Sequence, residues 1–390
     1  MPHAVIVDAV RTPTGKRGGK LKDVHPVDLA AHVLNALQER NGLDPAQVDD
    51  VIMGCVSQLG EQGINVGRNA VLAAGWPESV PSTTVDRQCG SSQQAAHFAA
   101  QGIMAGVYDI AIAAGVESMT RIPMGSNGSM GPGFPFGPAM MERYDNQIFN
   151  QGISAEMIAE EWSIPRQELD QLAYESHMRA QQATEEGRFE PEIAPIKVET
   201  EDGDIEMMAV DEGIRPGTTL EKLAGLQPAF QEGGVVTAGN SSQISDGAAA
   251  VLIMSEERAA ELSLTPKARF VQFALVGVDP VTMLTGPIPA TAKVLERSEL
   301  SMDDIDRFEV NEAFASVVAA WRREHDADMA KVNVNGGAMA LGHPLGASGA
   351  KLLTTLVHEL ERSGGRYGLQ TMCEGGGMAN ALIIERIERS

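Results

Sequence analysis

The chain has 390 residues, of which 43% are hydrophobic, 21% charged and only 4% aromatic, as in ordinary soluble globular proteins. This length predicts two or three packed units with a large buried core. The formal net charge of −23 excludes broad binding to nucleic acids or anionic membranes, because both require a basic surface.

The first 118 residues alternate between strand and helix patterns. Short β-branched or apolar runs are separated by segments whose apolar residues recur at helical spacing. We predict strands at 4–10, 49–56, 82–88 and 108–118, and helices at 27–40, 67–75 and 91–106. This alternation predicts an α/β protein with a parallel or mixed sheet covered on both faces.

A segment of different character follows, at about 119–245. It begins with an irregular run rich in Gly, Pro, Met and Phe, at 121–140, and ends with acidic and loop-like sequence. Two helices are predicted inside it, at 154–162 and 165–187, the second with Pro165 in its first turn. We interpret the segment as an inserted loop domain that forms a lid or a binding wall.

The strand and helix pattern then resumes to the end of the chain. Strands are predicted at 245–255, 268–278, 367–373 and 380–387, and helices at 289–300, 311–324 and 348–364. A strand, a turn of small residues and a long helix occur around both Cys89 and His343, which suggests a duplicated unit. The predicted halves are 1–258, carrying the insertion, and 259–390.

The three cysteines are far apart and form no C-x-x-C motif. They therefore predict neither a disulfide framework nor a zinc site, and no metal is expected. The N-terminus lacks a signal-peptide pattern, and no apolar stretch is long enough to span a bilayer. We expect a protein of the reducing cytoplasm.

Cys89 stands between a predicted strand and the helix that begins near Ser91 and Ser92. A helix N-terminus favours a thiolate, and the small neighbours would let a substrate approach the sulfur. A buried core cysteine is the alternative interpretation. The two serines are expected to cap the helix rather than to act as nucleophiles.

His343 lies in GHPLGASGA, a loop of small residues in which an imidazole gains little from packing. It could accept a thiol proton, or it could be a turn histidine bonded to backbone. Ser348 and Lys351 match an S-x-x-K pattern that is short enough to occur by chance.

Cys373 begins CEGGG, in which bare backbone N–H groups could converge on an anion. Cys55, among apolar strand residues, is interpreted as core. Asn311, in NEAFA, could start a helix or hold a water or a carbonyl group in a site. These segments are widely separated in the sequence.

Taken together, these segments resemble the thiolase family over essentially the whole chain. The matching motifs are RTPTGKRGG, the Cys89 segment, GVESMT, TAGNSSQISDGAA, NEAFA, GHPLGASGA and CEGGG. The resemblance implies a layered αβαβα fold of two similar halves with an inserted loop domain. It further implies a homodimer or homotetramer that cleaves 3-ketoacyl-CoA with CoA, as in fatty-acid or sterol side-chain β-oxidation.

The resemblance also assigns roles. Cys89 matches the nucleophile that becomes acylated, His343 the base that activates it, and Cys373 the acid and base at carbon and at the CoA sulfur. Asn311 matches the residue that positions a water in one oxyanion hole. The N–H of Gly375, with that of Cys89, matches the other.

Coenzyme A is expected as a co-substrate, with no permanently bound cofactor. Arg215 and Ser242 match family positions that meet the nucleotide phosphates and the pantetheine arm, although a surface charge and a turn serine are the alternatives. Gln151 stands where family members often carry a Met that walls the acyl pocket. This change, with Gln93 and Gln94 after Cys89, suggests a polar, wide pocket for a bulky or oxygenated acyl chain.

Three other functions compete with this one. A biosynthetic acetoacetyl-CoA thiolase would use the same residues for a shorter substrate. A decarboxylating or carrier-dependent condensing enzyme would pair its cysteine with two histidines, whereas the third group here is Cys373. A catalytically silent lipid- or CoA-binding relative would not need the intact set of Cys89, His343 and Cys373.

Overall fold

The computed structural model describes residues 2–200 and 202–388. Its strands are β1 (Ala4–Arg11), β2 (Gly15–Lys16), β3 (Asp50–Gly54), β4 (Ser82–Val85), β5 (Ile110–Ser118), β6 (Ile196–Glu199), β7 (Ile205–Met208), β8 (Ser245–Ser255), β9 (Ala268–Gly277), β10 (Arg307–Val310), β11 (Tyr367–Glu374) and β12 (Met378–Arg386). Its α-helices are α1 (Pro26–Asn41), α2 (Val66–Ala73), α3 (Ser91–Met104), α4 (Ser126–Ser129), α5 (Pro138–Arg143), α6 (Gln151–Glu161), α7 (Arg166–Glu185), α8 (Leu220–Ala224), α9 (Glu256–Glu261), α10 (Pro287–Ser298), α11 (Ala315–His325), α12 (Ala338–Leu341) and α13 (Ser348–Ser363).

The predicted elements are confirmed, apart from small shifts at their ends, except at NEAFA. The helix predicted from Asn311 begins only at Ala315, and Phe314 has extended dihedral angles. A backbone hydrogen bond explains this difference. In a helix from Asn311 the N–H of Ala315 would donate to the carbonyl of Asn311, but it donates to the carbonyl of Asn240 instead, so a neighbouring segment takes the donor of the first helical turn.

Most strands belong to one ten-stranded sheet in the order β10-β11-β12-β9-β1-β8-β5-β3-β4, with β2 beside β8. The strands at the centre of this sheet pair over only a short length. There β1 and β9 share only the pairs Val5↔Arg269 and Ile6↔Ala268, whereas β1 and β8 are paired along seven residues. The sheet is therefore composed of two half-sheets that meet edge to edge.

The two half-sheets repeat one strand order and one set of directions. In the first, β3 runs parallel to β4 and β5, and β5, β8 and β1 alternate in direction. In the second, β10 runs parallel to β11 and bridges in parallel to Val332, and β11, β12 and β9 alternate. Cys89 follows the outer strand of the first half, and His343 follows the segment of Val332 in the second.

The helices form three layers around the half-sheets. Helices α1 and α2 cover one outer face, where Leu29 and Leu34 join a core with first-half strands. Helices α10 and α11 cover the other, where Trp321 packs against second-half strands. The middle layer is α3 and α13, whose alanines and leucines share one core with both half-sheets. The predicted layered αβαβα fold is confirmed.

The chain between β5 and β8 carries α4 to α8 and the β6–β7 ribbon. Buried Arg11 in β1 bonds to Glu192 and Asp211 of this segment and thereby ties it to the central sheet. Helices α6 and α7 share a core cluster with α11 that includes Cys373. Across the described ranges, no helix is both long and apolar enough to cross a bilayer.

Candidate active site

Cys89 lies in a tight turn between β4 and α3. Gln88, just before it, has a left-handed φ of 48°, and Ser91 braces the turn by donating to the Gln88 carbonyl and accepting from the Arg87 N–H. The expected serine cap is wrong, because Gly90 is the N-cap residue and has no capping side chain. Ser92 instead accepts the N–H of Ala350 and ties α3 to α13.

His343 is held in one orientation by the loop that precedes α13. Its Nδ1 lies 2.5 Å from Ser348 Oγ, and that hydroxyl donates to the carbonyl of Pro344. Since the hydroxyl has only one proton, the Nδ1–H of the imidazole must donate to it. The lone pair therefore lies on Nε2, which is the atom that faces Asn311.

Lys351 supports this loop from the first turns of α13. Its ammonium group donates to the carbonyls of Leu341 and Gly342 just before His343. Thus the S-x-x-K match marks the two groups that orient the histidine, Ser348 at its ring and Lys351 at its backbone.

Asn311 joins the histidine to the second cysteine. Its Nδ2 lies 3.4 Å from His343 Nε2 and 3.8 Å from Cys373 Sγ. Within the described residues its Oδ1 is buried and has no hydrogen-bond partner. A buried amide oxygen without a donor is costly, so this atom is available to a substrate group or to water.

Cys373 is next to last in β11 and is fully buried. The glycine turn that follows lies against the Cys89 turn. A Cβ atom at Gly375 would be 3.0 Å from Gln88 Oε1 and 3.3 Å from Gln151 Nε2. Cys89, Asn311, His343, Cys373 and Gly375 are thus gathered from segments that are far apart in the sequence.

Burial keeps the reactive groups neutral in the resting protein. It raises the pKa of the Cys89 thiol, with Cys373 and Glu374 adding to the effect. It raises the pKa of the Cys373 thiol to about 12 and lowers the pKa of His343 to about 3, where the Lys351 charge also contributes. A neutral imidazole can accept a proton, and neutral thiols can donate one.

Arg215 and Ser242 lie beside the reactive cluster, on loops that contact each other. The N–H of Ser242 donates to the carbonyl of Ala313, inside NEAFA, and the side chain of the adjacent Gln243 donates to the carbonyl of Gly213. Arg215 is exposed, and its backbone N–H donates to His177. The Arg215 charge also lies near the His177 ring.

Two buried carboxyl groups of the site were not identified from the sequence. Glu117, at the end of β5, accepts from the N–H groups of Val56, Ser57 and Gly346. Glu374 lies between Cys373 and Gly375. Glu117 could have been found as a glutamate inside an apolar strand, in GVES. Glu374 was overlooked because the cysteine and the glycines of CEGGG are the more conspicuous residues of that segment.

A duplicated α/β fold whose halves meet at one histidine and two buried cysteines is the architecture of a thiol-dependent acyltransferase. The family models for the thiolase N-terminal and C-terminal domains match residues 4–257 and 264–386. The chain belongs to the thiolase family, and it is an acyltransferase.

Similar proteins cover almost the full length of the chain. It is 54% identical to the steroid 3-ketoacyl-CoA thiolase FadA6 of Mycobacterium tuberculosis, over 99% of this chain and 95% of that protein. It is 46% identical to a 3-ketoacyl-CoA thiolase of Aliivibrio salmonicida, over 99% and 100%. The crystal structure of Bacillus anthracis acetyl-CoA acetyltransferase superimposes with a TM-score of 0.91 at 42% identity and covers 99% of both chains.

Proposed function

We propose that the protein is a 3-ketoacyl-CoA thiolase, an acetyl-CoA C-acyltransferase that acts in β-oxidation. It cleaves a 3-ketoacyl-CoA with CoA into acetyl-CoA and an acyl-CoA shortened by two carbons. The observation that carries the proposal is the contact of Asn311 with both His343 and Cys373, beside the turns of Cys89 and Gly375.

In the first half-reaction, the Nε2 of His343 accepts the thiol proton of Cys89, and the sulfur attacks the 3-keto carbon. The bond between carbons 2 and 3 breaks, which leaves the acyl group on Cys89 and an acetyl-CoA enolate. Cys373 donates its proton to the enolate carbon, and acetyl-CoA leaves. This covalent intermediate divides one difficult step into two easier ones.

In the second half-reaction, the Cys373 thiolate takes the proton of the incoming CoA thiol. The CoA sulfur attacks the acyl–Cys89 thioester, the carbon–sulfur bond to Cys89 breaks, and the Cys89 thiolate recovers its proton from His343. The N–H groups of Cys89 and Gly375 face the oxygen that becomes negative, and each such donor lowers the barrier by about 3 kcal/mol. Asn311 would position a water in the other oxyanion hole.

Coenzyme A is proposed as a co-substrate, with no permanently bound cofactor. Arg215 would neutralise nucleotide phosphate charge at the rim, which an acidic protein needs locally, and Ser242 would face the pantetheine arm. The loop of Ser242 contacts Ala313, two residues after Asn311, and the loop of Arg215 contacts the loop of Ser242 through Gly213 and Gln243.

We propose a large, ring-bearing acyl group, such as a sterol side-chain fragment, as the preferred substrate. The amide of Gln151 lies beside Gly375, where it can donate to a polar group of the acyl chain. Phe149 packs in the cluster that contains Cys373, and nearby Phe134 and Ile148 expose apolar surface. The name of the M. tuberculosis relative, a steroid 3-ketoacyl-CoA thiolase, agrees with this proposal.

The test is CoA-dependent cleavage of acetoacetyl-CoA, a long linear 3-ketoacyl-CoA and a steroid-ring 3-ketoacyl-CoA. We expect kcat/KM to be highest for the ring-bearing substrate, and Gln151→Met to reduce that preference. A strong preference for acetoacetyl-CoA would instead favour a biosynthetic acetoacetyl-CoA thiolase. Binding of CoA without turnover of any substrate would indicate a silent relative.

The organisation of the whole molecule is also proposed. Residues 1–258, with the insertion at about 119–245, and 259–390 form the two halves, as the repeated strand order supports. We expect the protein to act in the cytoplasm. We also expect a homodimer or homotetramer, because β4 is an edge strand whose residues are partly exposed and such edges favour pairing with another chain. Light scattering on the purified protein would measure the state.

A further inference from the structure

Glu374 is a buried acid that the proposed reaction does not use. It is the last residue of β11, directly after Cys373, and its side chain is fully buried. Neither carboxyl oxygen has a hydrogen-bond partner anywhere in residues 2–200 and 202–388. A buried carboxylate without partners is costly, whereas the neutral acid is much less so.

The carboxyl group of Glu374 lies against the turn of the nucleophile. A side chain at Gly90, directly after Cys89, would collide with Glu374 Oε1 and with Asn380 Nδ2. Asn380 donates that amide to the carbonyl of Gly90. Its own Oδ1 likewise has no donor among the described residues.

The titratable and charged groups around Glu374 come from three elements. The turn after β4 contributes Asp86, Arg87 and Cys89, and β11 contributes Cys373. Helix α3 contributes His97 indirectly, because His97 lies near Arg87. Burial and the Arg87 charge lower the pKa of His97 to about 3. From β12 the facing group is the uncharged amide of Asn380. Arg87 is the one cation of this set.

These neighbours favour the neutral acid at physiological pH. Burial raises the pKa of Glu374 to about 8, with Arg87 opposing the effect and Asp86 adding to it. In turn, a negative charge on Glu374 raises the pKa values of both Cys89 and Cys373. Because such coupling is reciprocal, a thiolate or an enolate in the site makes Glu374 hold its proton more firmly.

We propose that Glu374 is a positioning residue that remains a neutral carboxylic acid while Cys89 and Cys373 ionise, and that its loss of a proton suppresses both thiolates. It lies close enough to act on both sulfurs, yet it need not touch the substrate. The acid thereby sets the upper pH limit of the reaction. The inference depends on the proposed roles of the two cysteines.

The test measures thiol ionisation without turnover. Iodoacetamide alkylation of each cysteine is followed by peptide mass spectrometry from pH 6 to 10 in the wild-type protein and in Glu374→Gln, which keeps the shape but cannot ionise. In the wild type, the rates at Cys89 and Cys373 should rise tenfold per pH unit and then flatten near pH 8. In Glu374→Gln the rise should continue, so that alkylation at pH 9 is on the order of tenfold faster.

Two controls separate this effect from a change in folding. Cys55 is an internal control, because it is a buried thiol whose charged neighbours are Glu117 and Asp86, and its profile should not change. Glu309→Gln removes another buried acid with a raised pKa, on β10, and should leave Cys89 and Cys373 unaffected. A general loosening of the fold would instead accelerate all three cysteines in either variant.

A second variant keeps Glu374 itself. Arg87→Gln removes the cation that stabilises the carboxylate, so the flattening should move to higher pH. Identical profiles for wild type and Glu374→Gln, or flattening at an unchanged pH in Arg87→Gln, would overturn the proposal. Failure of the proposed function would appear separately, as absence of CoA-dependent cleavage in a protein whose thiol profiles still respond to Glu374.

Discussion

At the scale of single residues, the site contains two sulfurs whose thiol pKa values are both raised by burial. Cys89 stands at the start of α3 beside the turn of Gly90, whereas Cys373 is bonded through Asn311 to the histidine. The proposed difference in their roles therefore comes from their positions. Cys89 attacks the acyl carbon, and Cys373 transfers the proton.

This difference predicts distinct outcomes for two serine variants. Cys89→Ser should retain CoA binding and lose turnover by a factor on the order of 10³ or more, because a serine hydroxyl beside a neutral histidine is a much weaker nucleophile. Cys373→Ser should still form the acyl-enzyme from acyl-CoA but complete the cycle very slowly.

Mass spectrometry of the intact protein after mixing with acyl-CoA measures the acyl-enzyme, and titration calorimetry measures CoA binding. Cys55→Ser, in the core cluster of the outer layer, is the matched control and should retain both activities. If Cys373→Ser formed no acyl-enzyme while Cys89→Ser did, the assigned roles would have to be exchanged.

Much of the site was predictable at this scale, since reactive residues in glycine-rich segments are conspicuous in a sequence. The roles of Ser348 and Lys351 were not, because a four-residue pattern does not reveal that one side chain contacts an imidazole and the other contacts two carbonyls. These contacts depend on how the loop of His343 folds back over the first turns of α13.

At the scale of elements, one buried carboxyl group connects loops of the two halves. Glu117, from the first half, accepts the N–H of Gly346 from the histidine loop as well as those of Val56 and Ser57. The amide of Gln62 adds a fourth bond. Each oxygen of Glu117 accepts two of these four hydrogen bonds. A group that only donates hydrogen bonds therefore cannot take the place of either oxygen.

Glu117→Gln should therefore destabilise the protein and disturb the histidine loop. One oxygen becomes an NH₂ group facing two N–H donors, and the loss of the two buried hydrogen bonds that this oxygen accepts predicts about 2–4 kcal/mol lower free energy of unfolding. Turnover should fall as well, because Gly346 helps to hold the loop of His343.

Denaturant unfolding and kcat measure the two effects. Glu61→Gln is the control, since Glu61 pairs with Arg121 at the surface and such pairs contribute at most about 1 kcal/mol. Equal stability losses in the two variants would refute the fastening role of Glu117.

The elements also show where sequence periodicity is informative. Helices of the layers were found because each buries one face at helical spacing, as in α1, whereas β8 is buried along its whole length and was found as a continuous apolar run. NEAFA was wrongly assigned to a helix since its composition suits one, while Thr371 and Asn240 take up its N–H groups in the folded chain. Contacts between segments that are distant in sequence decide such cases, and they leave no local pattern.

At the scale of the whole molecule, buried ionisable groups make stability depend on pH in opposing directions. Burial lowers the pKa of His97, and the stability associated with this shift is present above the unfolded value of 6.5 and is lost as pH falls toward about 3. Glu374 acts in the opposite sense. Its stability contribution is present below the unfolded value of 4.5 and is lost as pH rises through about 8.

A histidine variant isolates one of these contributions. His97 packs edge-on against Phe273, and His97→Phe keeps a ring there without a titrating group. Between pH 6 and 4, the stability of the wild type should fall relative to the variant by up to about 1.4 kcal/mol per pH unit.

Urea unfolding at several pH values measures this slope. Overpacking by the larger ring shifts the absolute stability but leaves the slope difference intact. His25→Phe is the control, because His25 is a partly exposed N-cap residue of α1. Parallel pH curves for wild type and His97→Phe would contradict the prediction.

The shared middle layer has a consequence for how the chain is made. Helix α3 belongs to the first half, but the core that it fills also needs α13, β9 and β12. On the ribosome, the first half must wait for roughly 130 more residues, which takes about 6–26 s at ordinary rates of synthesis. During that interval the apolar alanine and isoleucine side chains of α3 are exposed to water. We therefore expect chaperones to bind nascent chains of this protein.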